Sequence, residues 1–256
     1  MRRTRRVNHD EELSLVEHLD ELRSRLIVSL TALAVAAGVG FWQSQQLLTF
    51  LARPGSEVLG HKLKFIQLSP TDAFMASLSI SLDFAILVAL PVMTYQIYAY
   101  VIPAFAPESQ KALRWMVVAI PTLFGLGVGF GWFLVLKPAL EFLLKFNHGA
   151  FNTQLQAQPY VQFIALLLAA MGIIFEMPVV MLVLARIHLV TSRGMVRHWR
   201  VSTVGLAFVA FILPGADIVS FFAEFVPLVT LYWVSYGVVR LAELRWKDTS
   251  EPEPTG

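Results

Sequence analysis

The hydrophobic residues of this sequence fall into six stretches that are separated by polar segments. Five stretches are long enough for an α-helix to cross the ~30 Å hydrocarbon core of a bilayer. The fifth in chain order would give a helix of only about 20 Å. The pattern predicts an all-α integral membrane protein whose spans are residues 26–42, 74–102, 115–136, 160–185, 201–213 and 218–239.

The composition agrees with a membrane protein. Hydrophobic residues make up 56% of the 256 residues and charged residues only 15%, whereas a soluble domain has about 25% charged residues. The mean hydropathy is +0.63. The sequence has no cysteine, which excludes a disulfide framework, a thiol nucleophile and a cysteine metal site.

The basic residues predict the orientation of the spans. Most of the 20 Lys and Arg residues lie in the N-terminal segment, in the connections 103–114 and 186–200, and in the C-terminal tail. By the positive-inside rule these segments are cytoplasmic. We therefore predict a cytoplasmic tail and amphipathic helix at residues 1–25, a six-span membrane domain at 26–240 and a second cytoplasmic tail at 241–256, in the inner (cytoplasmic) membrane of the cell.

The segment 14–26, SLVEHLDELRSRL, is the most polar part of the chain with a helical pattern. Ser14 and Glu17 form a capping-box pattern, and leucines recur at helical spacing on one face. One interpretation is an amphipathic helix that lies on the membrane surface. The other is that its carboxylates hold a cationic partner at the membrane face.

Acidic residues inside the apolar stretches are candidates for function, because a charge in the bilayer costs several kcal/mol. Glu176 in the fourth span is the strongest candidate for a functional acid. Asp83 is expected to reach water in a loop or a serine of its own helix (Ser79 or Ser81). Glu224 is expected to extend to the non-cytoplasmic surface.

Two further features concern packing and loops. Glycines spaced by four in the third span (Gly125 with Gly129, Gly127 with Gly131) predict close helix packing. The segments 43–73 and 137–159 contain charged residues, proline and glycine. We predict exposed loops there, the first with a short interfacial helix.

Known catalytic motifs are absent from the sequence. The histidines lie outside the apolar stretches, and no nucleophile with a nearby base is visible. An intramembrane hydrolase therefore has no support, and we predict neither an enzyme nor a cofactor or metal site. A proton-coupled transporter of small solutes, with Asp83 and Glu176 as a relay, remains the alternative function.

Several motifs, in order along the chain, resemble those of the TatC family, the multispanning receptor of the twin-arginine translocase. They cover nearly the whole chain. The motifs are HLDELRSRL at 18–26, SPTDAF at 69–74, LPVMTYQIYAYVIPAF at 90–105, FEMPVV at 175–180 and LPGADIVS at 213–220.

The resemblance implies six helices in a curved, glove-like arrangement with both termini in the cytoplasm. It also implies a receptor that binds twin-arginine signal peptides and helps to move folded proteins across the membrane, using the proton-motive force. The expected partners are single-span subunits of the TatA and TatB type, the lipid bilayer and further copies of the chain, with no nucleic acid.

By the same resemblance, the signal peptide binds at Leu19, Glu21, Arg23, Tyr100, Pro103 and Glu108, and Glu176 is the intramembrane contact for a partner. Glu108 stands one residue before the position of the family's glutamate, which is Ser109 here.

Overall fold

The protein is described by a computed structural model over residues 15–101, 116–145, 154–213 and 218–248, with side chains over 19–100, 118–145, 154–213 and 218–244. Within these residues the chain forms ten α-helices and one π-helical turn. They are α1 (Leu15–Trp42), α2 (Ser44–Leu59), α3 (Asp72–Val101), α4 (Met116–Phe130), the π-turn (Gly131–Val135), α5 (Leu136–Lys145), α6 (Ala157–Phe175), α7 (Met177–Arg186), α8 (Ser192–Arg197), α9 (Trp199–Ile212) and α10 (Ile218–Asp248).

Among the described residues, five helical segments are long and apolar enough to cross a membrane. A sixth apolar helix, α9, has 14 residues and is shorter. The all-helical prediction with a short fifth apolar stretch is thereby confirmed. The five long segments are Leu19–Trp42, Asp72–Tyr100, Val118–Lys145, Ala157–Arg186 and Ile218–Leu244.

The predicted loop at 137–159 is wrong in its first part, because the third long segment stays helical to Lys145. Lys137 and Pro138 suggested a helix end. In the structure the wide π-turn comes directly before them, and its last hydrogen bond runs from the Leu136 N–H to the Gly131 carbonyl. A π-turn is a place where the regular hydrogen-bond ladder is already interrupted, so a proline just after it is tolerated.

The connection at 43–73 contains a helix of 16 residues, α2, followed by an extended segment. This helix is longer than the short one that we expected. It packs mainly against α5, and its partly buried leucines (Leu47, Leu48 and Leu51) contact the hydrophobic core.

Helix α6 lies at the centre of the molecule. In the most apolar 18-residue stretch of the α6–α7 segment, half of the residues are buried. This share is larger than in the corresponding stretches of the other four long segments. The side chains of Ile164, Leu167 and Met171 are almost fully buried and pack with Val135 and Leu136 of the third segment. Helices α3 and α4 pack against α6, whereas α1 packs against α3 and α10 packs against α7.

Close packing between α4 and α6 depends on glycine. A Cβ atom at Gly127 would lie 2.5 Å from the Met171 carbonyl oxygen, and one at Gly172 would lie 2.5 Å from the Phe124 ring. Gly131 is also in tight contact with α6. The predicted close packing is confirmed for Gly127 and Gly131.

The other glycine pair faces a different environment. A Cβ atom at Gly125 or Gly129 would meet none of the described residues within 4 Å. The prediction of close packing within the chain is therefore wrong for this pair.

Helices α1 and α3 pack side by side and antiparallel. Gly40 of α1 approaches the backbone of Ser81, and near the other end Arg25 donates a hydrogen bond to Gln96. The residue numbers of these two pairs add to the same total, as a straight antiparallel pairing requires. This register fixes which residues of α1 and α3 lie at the same height.

Candidate functional site

The carboxylate of Glu21 binds a guanidinium from its own helix. Arg25 Nε donates to Glu21 Oε1 over 3.1 Å, and Arg25 Nη2 makes a second contact with the same oxygen. The two residues are one helical turn apart, with the acid nearer the N-terminus, which is the favourable order in a helix. Both side chains are about one quarter exposed, so the pair lies at the edge of the packed region rather than inside it.

Arg25 also connects this pair to α3. Its Nη1 donates to Gln96 Oε1 over 3.3 Å. One guanidinium therefore joins a carboxylate on α1 to an amide on α3, and it holds the two helices together at the end of the bundle that is predicted to be cytoplasmic.

The helix register relates Glu21 to Tyr100. If the pairing of Arg25 with Gln96 is continued by one turn, Glu21 lies at the same height as Tyr100, which is partly buried. Two of the predicted signal-peptide residues are thus brought to one end of the α1–α3 pair. Pro103 and Glu108, also predicted for this site, lie outside the described residues.

The remaining predicted residues of α1 are exposed to different degrees. Leu19 is 63% exposed, and Arg23 is exposed and forms no ion pair with the described residues. Each is two residues from Glu21, and side chains two apart on a helix do not share a face. A ligand that contacts Glu21 through charge would therefore have to curve around α1 to touch Leu19 as well.

Glu176 is buried at the junction of α6 and α7. Its side chain is 3% exposed, and neither carboxyl oxygen has a hydrogen-bond partner among the described residues. Pro178 follows in the first turn of α7, and because proline lacks an N–H the helix is interrupted here. The interruption places the acid between two helical segments rather than within one.

Tyr98 of α3 packs against the start of α7, which follows Glu176, through the cluster that contains Val179. Tyr98 is two residues from Gln96, so the two side chains point to opposite sides of α3. The Glu21 pair and Glu176 therefore lie on opposite sides of the same end of α3. The sequence assigned them to separate sites, and the structure relates them through one helix.

The structure contradicts the expectation for Glu224 and, for the half-buried Asp83, the expected bond to a serine. Asp83 does not bind a serine of its own helix: the Ser81 hydroxyl donates to the Ser77 carbonyl, and the buried Asp83 Oδ2 has no partner among the described residues. Glu224 does not extend to the surface, because it is only 1% exposed. Both expectations were based on distance along a helix, which does not reveal which side of the helix faces the core.

Arg25, Gln96 and Tyr98 were not predicted as functional residues. A signal for Arg25 was present in the sequence, since it lies four residues after Glu21 and such pairs interact on a helix. Nothing in the sequence indicated that Gln96 is its second partner. The described residues contain no group of three or more His, Asp or Glu side chains that could share a metal ion.

Comparisons with known proteins identify the family. A profile of the Sec-independent protein translocase protein TatC matches residues 17–227. The TatC protein of Aquifex aeolicus is 32% identical over 242 residues, which is 92% of this chain and 98% of that protein. The TatC protein of Carboxydothermus hydrogenoformans is 29% identical over 232 residues, covering 90% of this chain and 94% of that protein.

A solved structure agrees with this match. The crystal structure of a twin-arginine translocase receptor, TatC, superposes with a TM-score of 0.74 at 31% sequence identity, covering 89% of this chain and 100% of that one. The profile match at residues 17–227 includes the contacting parts of α1 and α3, the π-turn and the interrupted α6–α7 segment. The chain is therefore a multi-pass membrane protein that belongs to the TatC family of Sec-independent protein translocase components.

Proposed function

We propose that this chain binds the twin-arginine signal peptides of folded substrates at its predicted cytoplasmic end, with Glu21 as the main acceptor of arginine. The observation that carries the proposal is the Glu21–Arg25 pair. A partly exposed carboxylate that already binds a guanidinium from its own helix has the chemistry that a second guanidinium needs.

Arginine suits this acceptor better than lysine. A guanidinium presents several N–H donors in a planar fork and can bind a carboxylate with two parallel hydrogen bonds, whereas lysine is a compact point charge. Two adjacent arginines require two acceptors. Glu21 would be one of them, and we propose Glu108 as the other.

The other residues of the proposed site supply contacts around the acceptor. Tyr100 lies at the height of Glu21 on the neighbouring helix, and Arg23 and Leu19 are exposed on other faces of α1. We propose that the apolar part of the peptide contacts Leu19, and that Pro103 contributes beside Tyr100.

Glu176 is the proposed contact for a single-span partner of the TatA or TatB type. A buried carboxyl group without a hydrogen bond is costly. A donor on a partner helix would offset part of that cost, with about 1 kcal/mol for a hydrogen bond within the membrane. Together with such partners and further copies of the chain, this protein would move folded substrates across the membrane, using the proton-motive force.

The alternative, a proton-coupled transporter with Asp83 and Glu176 as a relay, gains no support. Asp83 lines a groove whose other lining residues are apolar or glycine, and Glu176 is not among them. A relay requires acids that share a polar or water-filled path.

Binding of labelled signal peptides to the purified, detergent-solubilised chain tests the proposal. A peptide with Arg-Arg is compared with one that has Lys-Lys at the same positions. We expect the arginine peptide to bind at least about tenfold more tightly, because the loss of a bidentate charged hydrogen bond costs ~1.5–3 kcal/mol. Equal affinity, or no binding of either peptide by folded protein, would contradict the proposal.

A further inference from the structure

A cleft of about 550 Å³ lies between α8 and the C-terminal part of α10, at the end of the chain that is predicted to be cytoplasmic. We call it the arginine cleft. Its lining contains three exposed arginine side chains, which are Arg193 and Arg197 of α8 and Arg240 of α10. The proposed function uses none of these residues.

The positive charges of the arginine cleft are not neutralised within the part of the chain that the structure describes. None of its three arginines forms an ion pair with a described residue. Arg240 Nη1 donates a hydrogen bond to the Tyr236 hydroxyl group over 3.1 Å, and this acceptor is neutral. The guanidinium groups therefore keep most of their N–H donors for another acceptor.

The one carboxylate in the described lining is already bound. Glu243 Oε1 accepts a hydrogen bond from the Ser192 N–H over 2.9 Å, and Oε2 accepts one from the Ser192 hydroxyl group. The Tyr232 hydroxyl group also donates to the Met195 carbonyl oxygen over 2.8 Å. These bonds hold α8 against α10, so the cleft has fixed walls and a net positive charge.

The cleft also lies where an apolar span ends. The apolar segment Ile218–Leu244 ends at the cleft, and the exposed side chain of Leu244 belongs to the lining. On the α8 side, the lining includes the exposed Val196. Tyr236 in the lining is of a residue type that is enriched at membrane interfaces. Charged, aromatic and apolar side chains thus meet in one cleft, as they do at the depth of lipid headgroups.

An anionic phospholipid matches both parts of this lining. Its phosphate oxygens accept charge-assisted hydrogen bonds from guanidinium groups, and its acyl chains can lie on apolar side chains. Basic pockets between transmembrane helices on the cytoplasmic side bind headgroups of this kind. A zwitterionic lipid carries its own cation, which offsets the attraction, and a free phosphate ion leaves the apolar side chains uncovered.

We propose that the arginine cleft binds the headgroup of an anionic phospholipid. The arginines of α8 and α10 contact the phosphate oxygens from two sides, and an acyl chain lies against Val196 and Leu244. The site is separate from Glu21 and Glu176. The proposal rests on the cleft alone and does not depend on the proposed function.

The test titrates the purified full chain, in a non-ionic detergent, with dioleoyl phosphatidylglycerol or with dioleoyl phosphatidylcholine. Native mass spectrometry counts the bound lipids and gives the affinity. Both lipids have the same acyl chains, so a difference reports the headgroup. We expect phosphatidylglycerol to bind at least about tenfold more tightly.

Substitutions locate the lipid. The double variant Arg197→Gln with Arg240→Gln is expected to weaken binding of phosphatidylglycerol at least about tenfold and to leave phosphatidylcholine unchanged. The matched control is Arg23→Gln with Arg200→Gln, which removes two exposed arginines at the same predicted end but outside the cleft. We expect the control to lose less than about threefold. Arg193→Gln alone is a second variant and is expected to lose about fivefold.

Two competing anions are tested in parallel. Glycerophosphoglycerol, which is phosphatidylglycerol without its acyl chains, separates a lipid from a soluble phosphate. We expect it to displace the lipid only at a concentration at least about a hundredfold higher. The sequence continues after α10 with Glu251 and Glu253, so the chain with both changed to Gln is titrated as well, to remove these carboxylates as competitors.

The proposal is overturned if phosphatidylglycerol has no preference over phosphatidylcholine in either chain. It is also overturned if the cleft variants lose no more affinity than the control pair, because the attraction would then be a general effect of charge. Displacement by glycerophosphoglycerol at a concentration similar to that of the lipid would overturn the assignment to a lipid.

Discussion

The hydroxyl group of Tyr160 on α6 accepts a hydrogen bond from the backbone N–H of Gly55 on α2 over 3.2 Å. The same hydroxyl donates to the carbonyl oxygen of Leu51 over 2.9 Å. Residues 51 and 55 are the two that a regular helical hydrogen bond would join, and Pro54 lies between them. One side chain of the central helix therefore satisfies the backbone of α2 where proline disturbs it.

Tyr160→Phe should lower the stability of the folded protein. The change removes two hydrogen bonds and leaves backbone groups of α2 without this partner, which costs ~1–3 kcal/mol. The measurement is thermal unfolding in detergent, followed by tryptophan fluorescence. Tyr95→Phe is the control, because Tyr95 is partly buried and makes no hydrogen bond with the described residues. Equal unfolding temperatures for the two variants would contradict the role of the Tyr160 hydroxyl.

Gly127→Ala should separate α4 from α6. The new Cβ atom would lie 2.5 Å from the Met171 carbonyl oxygen, and a backbone atom cannot move aside as a flexible side chain can. Overpacking of this kind costs ~1–3 kcal/mol or more. Gly38→Ala is the comparison, since its Cβ has free space and alanine favours a helix. The argument fails if both variants unfold at the same denaturant concentration as the unaltered chain.

Arg25→Gln should increase affinity for a twin-arginine peptide, because it releases the Glu21 carboxylate. Since the pair is partly exposed, we expect only about a twofold to fivefold gain, measured by fluorescence anisotropy. Arg193→Gln is the control for charge, as Arg193 is exposed and forms no ion pair with the described residues. An equal gain in both variants would indicate a general effect of charge.

Glu21→Ala removes the proposed arginine acceptor itself. It should weaken binding of the twin-arginine peptide by about tenfold or more, because a charged hydrogen bond is lost, while insertion into the membrane is retained. The affinity is measured with the same peptide and detergent. Normal affinity would remove Glu21 from the proposed site.

Glu176→Gln should preserve the fold and change the association with single-span partners. Glutamine has nearly the same shape but replaces one carboxyl oxygen with an NH₂ group, so a donor on the partner loses one of its acceptors. Co-purification of the partners with the variant is the measurement. Glu57→Gln, at an exposed position of α2, is the control. Unchanged co-purification and normal export would leave Glu176 with a purely structural role.

The sequence was informative where a feature depends on neighbours along the chain. The apolar stretches and the short α9 follow from composition and spacing. The helix at Leu136–Lys145 was missed because proline and lysine usually end a helix, and the π-turn before Pro138 cannot be recognised from residue types.

The sequence was less informative where a feature depends on contacts between distant segments. The second partner of Arg25 is 71 positions away. The burial of Glu224 depends on which face of α10 meets the core. Likewise, the pairs Gly125/Gly129 and Gly127/Gly131 have identical spacing, but only the second pair packs tightly against α6. Which pair faces α6 is a property of the folded chain.

Helix α9 has 14 residues and is about 21 Å long, which is ~9 Å less than the hydrocarbon core of an ordinary bilayer. Where α9 crosses the membrane, the lipid beside it has to compress, at a fraction of a kcal/mol per ångström. The surrounding bilayer then stores several kcal/mol of elastic energy at one edge of the protein. Lipids with shorter acyl chains would collect there, and the membrane would be easiest to deform next to this helix.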